Sequence, residues 1–441
     1  MILCPPSTEH PRGKQCHRLQ VAKMSAGDKE RTSHLLFVKA LATRGCLEAI
    51  SQQMGYHPQY LDSFLRMQHY LLHMDGPLPF YCRHYIAIMA AARHRCRYLV
   101  NLHALQFLRV GGDPQWLRGL EYIPPKLQRL SEINKILAHQ PWLIGKEHFE
   151  KLLQIREESW SLAELVHAVV LLAHYHALAS FAFGCGCEQD FPPDGLLKLT
   201  LPGSLCFCEV NNGCSQDVFH NNRKKSMDSC AEVESLQERI HKLKVENEAR
   251  EEMRTPEREE ACNGEISGTT DISCFIEDPS FGYQDFAQLN ENQPQIFCVQ
   301  DYSWADHGFS LVNRLYTDIG FLLDDKFQKV QKLQSCVLAK RQGCDPATFK
   351  RSVWNYVHSM FGIRYDDYDY SEVNQLLERT LKLYIQTVTC TPEKLDQETF
   401  THFWKQFKHS EKVHMNLLIL EARLQAELLY ALRAITQYMV S

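Results

Sequence analysis

Apolar residues recur every three and four positions along most of this chain, while runs alternating every second position are almost absent. The pattern predicts helices joined by turns. It is clearest over residues 58–108, where two helical stretches flank the turn Met74-Asp75-Gly76-Pro77. The second stretch reads as one helix from Cys82 to about Leu108. Its stripe is Tyr85, Met89, Ala92, Cys96, Leu99, His103 and Phe107, apolar except for His103.

The same periodicity orders the rest. A helical pattern runs from Ser33 to about Gln53, and His57-Pro58 opens the next helix with proline in its first turn. Beyond the loop Gly111-Gly112-Asp113-Pro114, helices are predicted over Leu130–Ala138 and Lys146–Ile155, separated by His139-Gln140-Pro141-Trp142. Ser161 starts a long apolar helix to about Phe183. His167 and His174 lie seven residues apart on one face of it and read as core histidines. In the second half, helices are predicted over Asp318–Lys340, Pro346–Phe361, Ser371–Thr389, Pro392–Phe407 and Glu411–Tyr438, with Thr391 and Ser410 as caps. Residues 275–310, rich in aromatics and irregular, read as packed over a domain surface.

Two stretches break the pattern. Residues 1–32 are polar and interrupted by prolines, the composition of a disordered tail. Residues 210–272 are mostly charged and poor in aromatics, the composition of a disordered linker. Leu236, Ile240 and Leu243 step helically within it, too briefly for a coiled coil. The expected organisation is all-α: a helical domain over 33–209, the linker, and a second helical domain over 273–441.

Composition narrows the function classes. An apolar fraction of 44% in 441 residues supports proper cores. The net charge of -5 gives no signature of nucleic-acid binding. The N-terminal stretch lacks the apolar core of a secretory signal. The longest apolar run, Val169–Gly184, is interrupted by His174 and His176 and reads as a buried helix, not a membrane span. Seventeen cysteines, scattered and odd in number, suggest free thiols in a reducing compartment. Cys185, Cys187, Cys206, Cys208 and Cys214 cluster, but the spacing of a zinc ligand pair is missing, so no metal or cofactor is expected. Cys96 stands beside Arg93, Arg95 and Arg97. Those charges would favour the reactive thiolate, whereas its place on an apolar stripe suits an inert, buried thiol.

Several stretches resemble the sestrin family: YHPQYLDSFL at 56–65, HMDGPLP at 73–79, RHYIAIMAAARH at 83–94, GGDPQWL at 111–117, PWLIGKEH at 141–148, FGIRYDDYDYSEVNQLLER at 361–379, HSEKVHMNLL at 409–418 and LLYALRAIT at 428–436. The resemblance implies two related helical domains, each similar to the AhpD-like alkylhydroperoxidase fold. It implies a first half that reduces alkyl hydroperoxides or peroxiredoxin-derived species. It implies a second half that binds leucine, docks on the GATOR complex and restrains mTOR complex 1 when leucine is scarce. Family members are cytoplasmic, some also nuclear.

Site residues follow by the same resemblance. The redox set is Cys96, Tyr98 and His103, within His94-Arg95-Cys96-Arg97-Tyr98 and the later histidine. On one straight helix Cys96 and His103 would stand about 10 Å apart along the axis, with Tyr98 turned away, so the set requires a helix break or a bridging water. The leucine set is Glu411 for the ammonium, Trp404 for the apolar wall, His57 from the first domain, and Lys350 where the family carries a carboxylate-binding arginine. Phe349 replaces a wall leucine, Gln334-Ser335-Cys336-Val337 replaces the lid Thr-Tyr-Asn-Thr, and Pro346 replaces a threonine. Asp366 and Asp367, within Tyr365–Tyr370, match the GATOR-docking loop. The leading expectation is a nutrient and stress regulator. The runner-up is a thiol peroxidase, and a third reading is a docking protein that no longer senses leucine.

Overall fold

The computed structural model describes residues 26–44, 47–154, 159–187, 271–289, 295–334, 345–395 and 407–441. Among these, helices dominate, and the one sheet is a parallel pairing of Phe297–Cys298 (β1) with Ile363–Arg364 (β2). The all-α expectation holds. The first half contains α1 (Ala26–Arg44), α2 (Ala49–Met54), α3 (Pro58–His73), α4 (Phe80–Arg93), α5 (Arg97–Arg109), α6 (Pro125–Gln128), α7 (Leu130–His139), α8 (Lys146–Leu153) and α9 (Leu162–Gly184). The second contains α10 (Phe309–Leu315), α11 (Ile319–Lys332), α12 (Pro346–Met360), α13 (Ser371–Leu376), α14 (Arg379–Cys390) and α15 (His409–Val440).

Helix α9 is apolar on every face, so it can only be stable when surrounded by protein. It packs against α15 and α4, and its most apolar window is wholly buried. It is long and apolar enough to cross a membrane, yet here it is a core helix, as its histidines suggested. Ser161 caps it through a reciprocal pair: Ser161 Oγ accepts from the Glu164 amide, and Glu164 Oε2 accepts from the Ser161 amide at 2.8 Å. α3 lies on α11, and both halves feed one continuous hydrophobic core.

The halves repeat one design. α3 and α4 correspond to α11 and α12, α7 to α14, and α9 to α15 in order and packing. Backbone angles repeat too. His94 after α4 has φ −99, ψ 12, and Phe361 after α12 has φ −99, ψ 13. Arg95 (φ 54) and Gly362 (φ 75) follow, both left-handed. Gln140 after α7 (φ −140, ψ 62) matches Thr391 after α14 (φ −143, ψ 59), and each precedes a proline.

Several boundaries differ from those expected. The helix foreseen over Cys82–Leu108 is two helices, broken at His94–Cys96 because Arg95 turns left-handed. α1 begins at Ala26, inside the stretch read as tail. The helix expected over Ser371–Thr389 is split near Leu377–Glu378. Thr391 makes no side-chain cap, and the 3-10 turn Pro392–Lys394 follows it; most of the helix expected over Pro392–Phe407 lies outside the described residues. The last helix is capped from Lys408 rather than Ser410, with Glu411 closing the capping box. Most of the linker, together with Cys206, Cys208 and Cys214, lies outside the described residues. At its end Ile272 is buried.

Candidate functional site

The break after α4 shapes the surroundings of the residues expected to form a redox set. Cys96 becomes the N-cap residue of α5 and is fully buried. Arg93 turns away to the carbonyls of Glu277 (2.5 Å) and Phe281 (2.9 Å), and Arg95 and Arg97 are exposed. Of the two readings of this thiol, the buried setting of Cys96 matches the second, and the Arg93 guanidinium is committed to carbonyls elsewhere. The left-handed turn removes the straight-helix objection to grouping Cys96 with Tyr98, and both residues are buried. Burial pushes the Tyr98 hydroxyl well above its ordinary value, with Cys187 and Cys96 among the groups acting in the same direction.

His103 has a neighbour that the sequence reading did not identify. His84 Nδ1 and His103 Nδ1 are 3.0 Å apart, so one ring donates and the other accepts. Burial, then His73 and Arg83, push the His84 pKa down to about 3, which keeps that ring neutral. Ring contacts run from exposed His73 through His84 and His103 to Tyr175. A signal was available: His84 and His103 lie on consecutive helices joined by a short turn, but the continuous-helix reading hid it.

The proposed leucine residues occupy the junction of α3, α11, α12 and α15. Glu411 is mostly buried at the third position of α15, where one carboxylate oxygen takes the Lys408 amide at 3.1 Å. A carboxylate in a first turn is also favoured by the helix dipole. His57 Nε2 lies 2.7 Å from the Ser410 carbonyl, and its ring lies against His414 at 5.4 Å. Lys350 donates to the carbonyls of Gln331 and Leu333 at the end of α11, and burial lowers its pKa. Burial, His57 and Lys350 together push His414 down to about 3, with the Val330 carbonyl acting against them. Phe349 is buried. Pro346 is the first residue of α12, after Asp345, whose carboxylate takes the Ala347 amide. Gln334 is exposed, whereas Ser335, Cys336, Val337 and Trp404 lie outside the described residues.

The acidic loop divides its side chains by direction. Tyr368 donates to Ser352 Oγ at 2.8 Å, and Tyr365 meets His358 Nδ1 at 3.0 Å, so both tyrosines anchor inward. Asp366 and Asp367 point outward and are exposed; Asp367 pairs with Arg351 at 2.7 Å. Among the described residues no group of three His, Cys, Asp or Glu side chains is arranged to hold a metal.

Comparison with known proteins adds the family. The profile described as "PA26 p53-induced protein (sestrin)" matches residues 14–439. The chain is 52% identical to "Sestrin-1" of Macaca fascicularis over 438 residues, covering 94% of this chain and 88% of that protein. It is 51% identical to "Sestrin-3" of Mus musculus over 448 residues, 95% of this chain and 90% of the relative. It is 48% identical to "Sestrin-2" of Homo sapiens over 444 residues, 97% of this chain and 92% of the relative.

Proposed function

The chain belongs to the sestrin family of stress-inducible regulators, and from that premise we propose that it docks on the GATOR complex, restrains mTOR complex 1 and takes leucine between its two halves. The observation that carries this reading is the meeting of His57, Lys350, Glu411 and His414 at one junction, a cation and an anion in a largely buried setting. A zwitterionic amino acid needs both charges and an apolar wall. Leucine binds here more weakly than in a site with an arginine, because Lys350 is a point charge without a bidentate fork. Phe349 also takes volume from the cup. Docking uses Asp366 and Asp367. The protein acts in the cytoplasm, and in the nucleus as some relatives of the family would.

The test is capture of the GATOR complex by the full-length chain, with and without leucine, alongside calorimetric titration of leucine. Capture that leucine releases supports the full reading. Capture indifferent to leucine supports a docking protein without sensing. No capture in either condition overturns the docking reading.

A second reading has its own observation. Cys96 at the helix break, near Tyr98 and followed by the His103–His84 pair, suits a thiol peroxidase that uses an external dithiol, a peroxiredoxin being one partner. In that chemistry the Cys96 thiolate attacks the peroxide, the O–O bond breaks, sulfur becomes sulfenic acid and the leaving alkoxide takes a proton. Unchanged peroxide turnover in Cys96→Ser would remove this reading.

A further inference from the structure

The arrangement around Lys350 occurs twice. In the second half, Lys350 lies eleven residues before the end cap of α12 and donates to carbonyls closing α11. In the first half, Arg83 lies eleven residues before the end cap of α4 and donates to carbonyls closing α3: Met74 at 2.6 Å and Leu71 at 3.3 Å. Each long helix carries a glutamate at its third position and a histidine at its sixth, Glu411 and His414 on α15, Glu164 and His167 on α9. Each glutamate closes a capping box on its own helix. Each histidine meets an aromatic ring from the opposite half. His57 lies on His414, and Tyr316 lies on His167 with centroids 4.3 Å apart. His167 Nε2 is 3.1 Å from the Leu71 carbonyl, and burial followed by Arg83 pushes its pKa down to about 3, as burial, His57 and Lys350 do for His414.

We propose that the Arg83 cradle is a second binding site, for a free α-amino acid with an apolar side chain, with Arg83 taking the carboxylate and Glu164 the ammonium. The proposal extends the amino-acid reading of the Lys350 cradle, and its test separates the two. The first-half cradle has what the other lacks: a planar guanidinium that grips a carboxylate with two parallel hydrogen bonds. Cys82 stands where the second half has the bulkier Phe349, one residue before the cation in each case. Cys82, the residue before Arg83, lies in the field of both Lys126 and Glu164, which pair with each other at 2.8 Å. Glu164 retains 20% side-chain exposure, and an ionised carboxylate has lone pairs beyond those used by Lys126 and Ser161.

The segment over the cradle, between α3 and α4, behaves chemically as its closure. Arg83 Nε holds the Leu78 carbonyl at 2.8 Å, and Nη1 holds that of Met74. Both carbonyls sit in the segment, so a ligand carboxylate and the closed segment compete for one guanidinium. Gly76 permits the closed seat, since a Cβ there would stand 3.1 Å from Arg83 Nη2 and 3.4 Å from the Tyr316 ring. Met74, Phe80 and Tyr81 are exposed around this rim and offer apolar surface to a ligand side chain.

The experiment is calorimetric titration of the full-length chain with leucine, leucinamide and 4-methylpentanoate, on the wild type, Glu164→Gln and Glu411→Gln. Diazirine-bearing leucine, photocrosslinked to the wild type and mapped by mass spectrometry, serves as the readout that needs no variant. Expected are crosslinks within residues 70–84 and a binding step that survives Glu411→Gln. That step should weaken at least tenfold in Glu164→Gln and at least tenfold for leucinamide and 4-methylpentanoate. Loss of all binding in Glu411→Gln, with Glu164→Gln unaffected, overturns the second site and leaves the Lys350 reading standing. Loss in Glu164→Gln alone supports the second site and removes the Lys350 reading. Absence of both crosslinks and binding in the wild type overturns both.

Discussion

Arg423 Nη2 lies 2.6 Å from Nε2 of His94, although the two side chains are 329 residues apart and both are fully buried. The same guanidinium donates to the carbonyls of Ala138 and Thr389, near the ends of the equivalent helices α7 and α14, and to Ser180 on α9. Its Nε pairs with Glu427 at 2.9 Å, and Glu427 in turn meets His176 Nδ1 at 2.7 Å. One cation from α15 therefore fixes the turn that carries Cys96. Because Arg423 donates, His94 must accept at Nε2. Burial and then Arg423 hold its pKa well below the usual value, which keeps the ring neutral.

Removing Arg423 should be severe. Arg423→Met strands Glu427 in a dry interior and orphans two carbonyls, a loss of about 3–5 kcal/mol. Arg423→Met combined with Glu427→Gln should recover part of that loss, because the stranded charge is gone. Urea unfolding of the single and double variants checks this; equal midpoints for the two would contradict the buried-charge argument.

The two left-handed turns should respond in opposite ways to substitution. Arg95→Gly removes a left-handed cost of about 1–2 kcal/mol but loosens the unfolded chain, so its net effect stays within about 1 kcal/mol. Gly362→Ala adds the left-handed cost and drives a Cβ to 2.5 Å from the Phe286 ring, so more than about 2 kcal/mol should be lost. Thermal unfolding of both variants gives the comparison.

This contrast also marks how far the sequence could be read. Helical periodicity located α3, α7, α9 and α15 because each buries a broad apolar face. It missed the break at Arg95, since a single non-glycine residue at positive φ leaves no periodic trace, whereas its counterpart Gly362 is at least a residue that permits the turn. His57, Glu411 and Lys350 enter the proposed leucine site through resemblance alone. Their carbonyl partners and the duplicate set at Arg83 depend on long-range packing, which no local pattern encodes.

Acid should destabilise the fold through histidines that are buried neutral. Burial is the first cause lowering His84, His167, His358 and His414 to about 3, and His139 to about 2. In the unfolded chain each titrates near 6.5. Below that pH the unfolded state binds more protons, so stability present above 6.5 is lost as pH falls toward the folded values. Each group contributes about 1.4 kcal/mol per pH unit within that window. Urea midpoints measured from about pH 7 down to about pH 5 should fall steadily; a flat profile would mean these rings are charged in the native state.

The acidic loop offers a separation of docking from folding. Asp366 and Asp367 are exposed, and the Asp367–Arg351 pair joins side chains that are 69% and 50% exposed, where ion pairs contribute little. Asp366→Ala with Asp367→Ala should therefore leave the urea midpoint nearly unchanged while abolishing capture of the GATOR complex. Tyr368→Ala should do the reverse to stability: it removes a mostly buried ring and leaves Ser352 Oγ without its 2.8 Å donor, a loss of about 3–5 kcal/mol. If Tyr368→Ala kept its stability, or the double aspartate variant still captured the complex at equal expression, the division of this loop into inward anchors and outward contacts would be wrong.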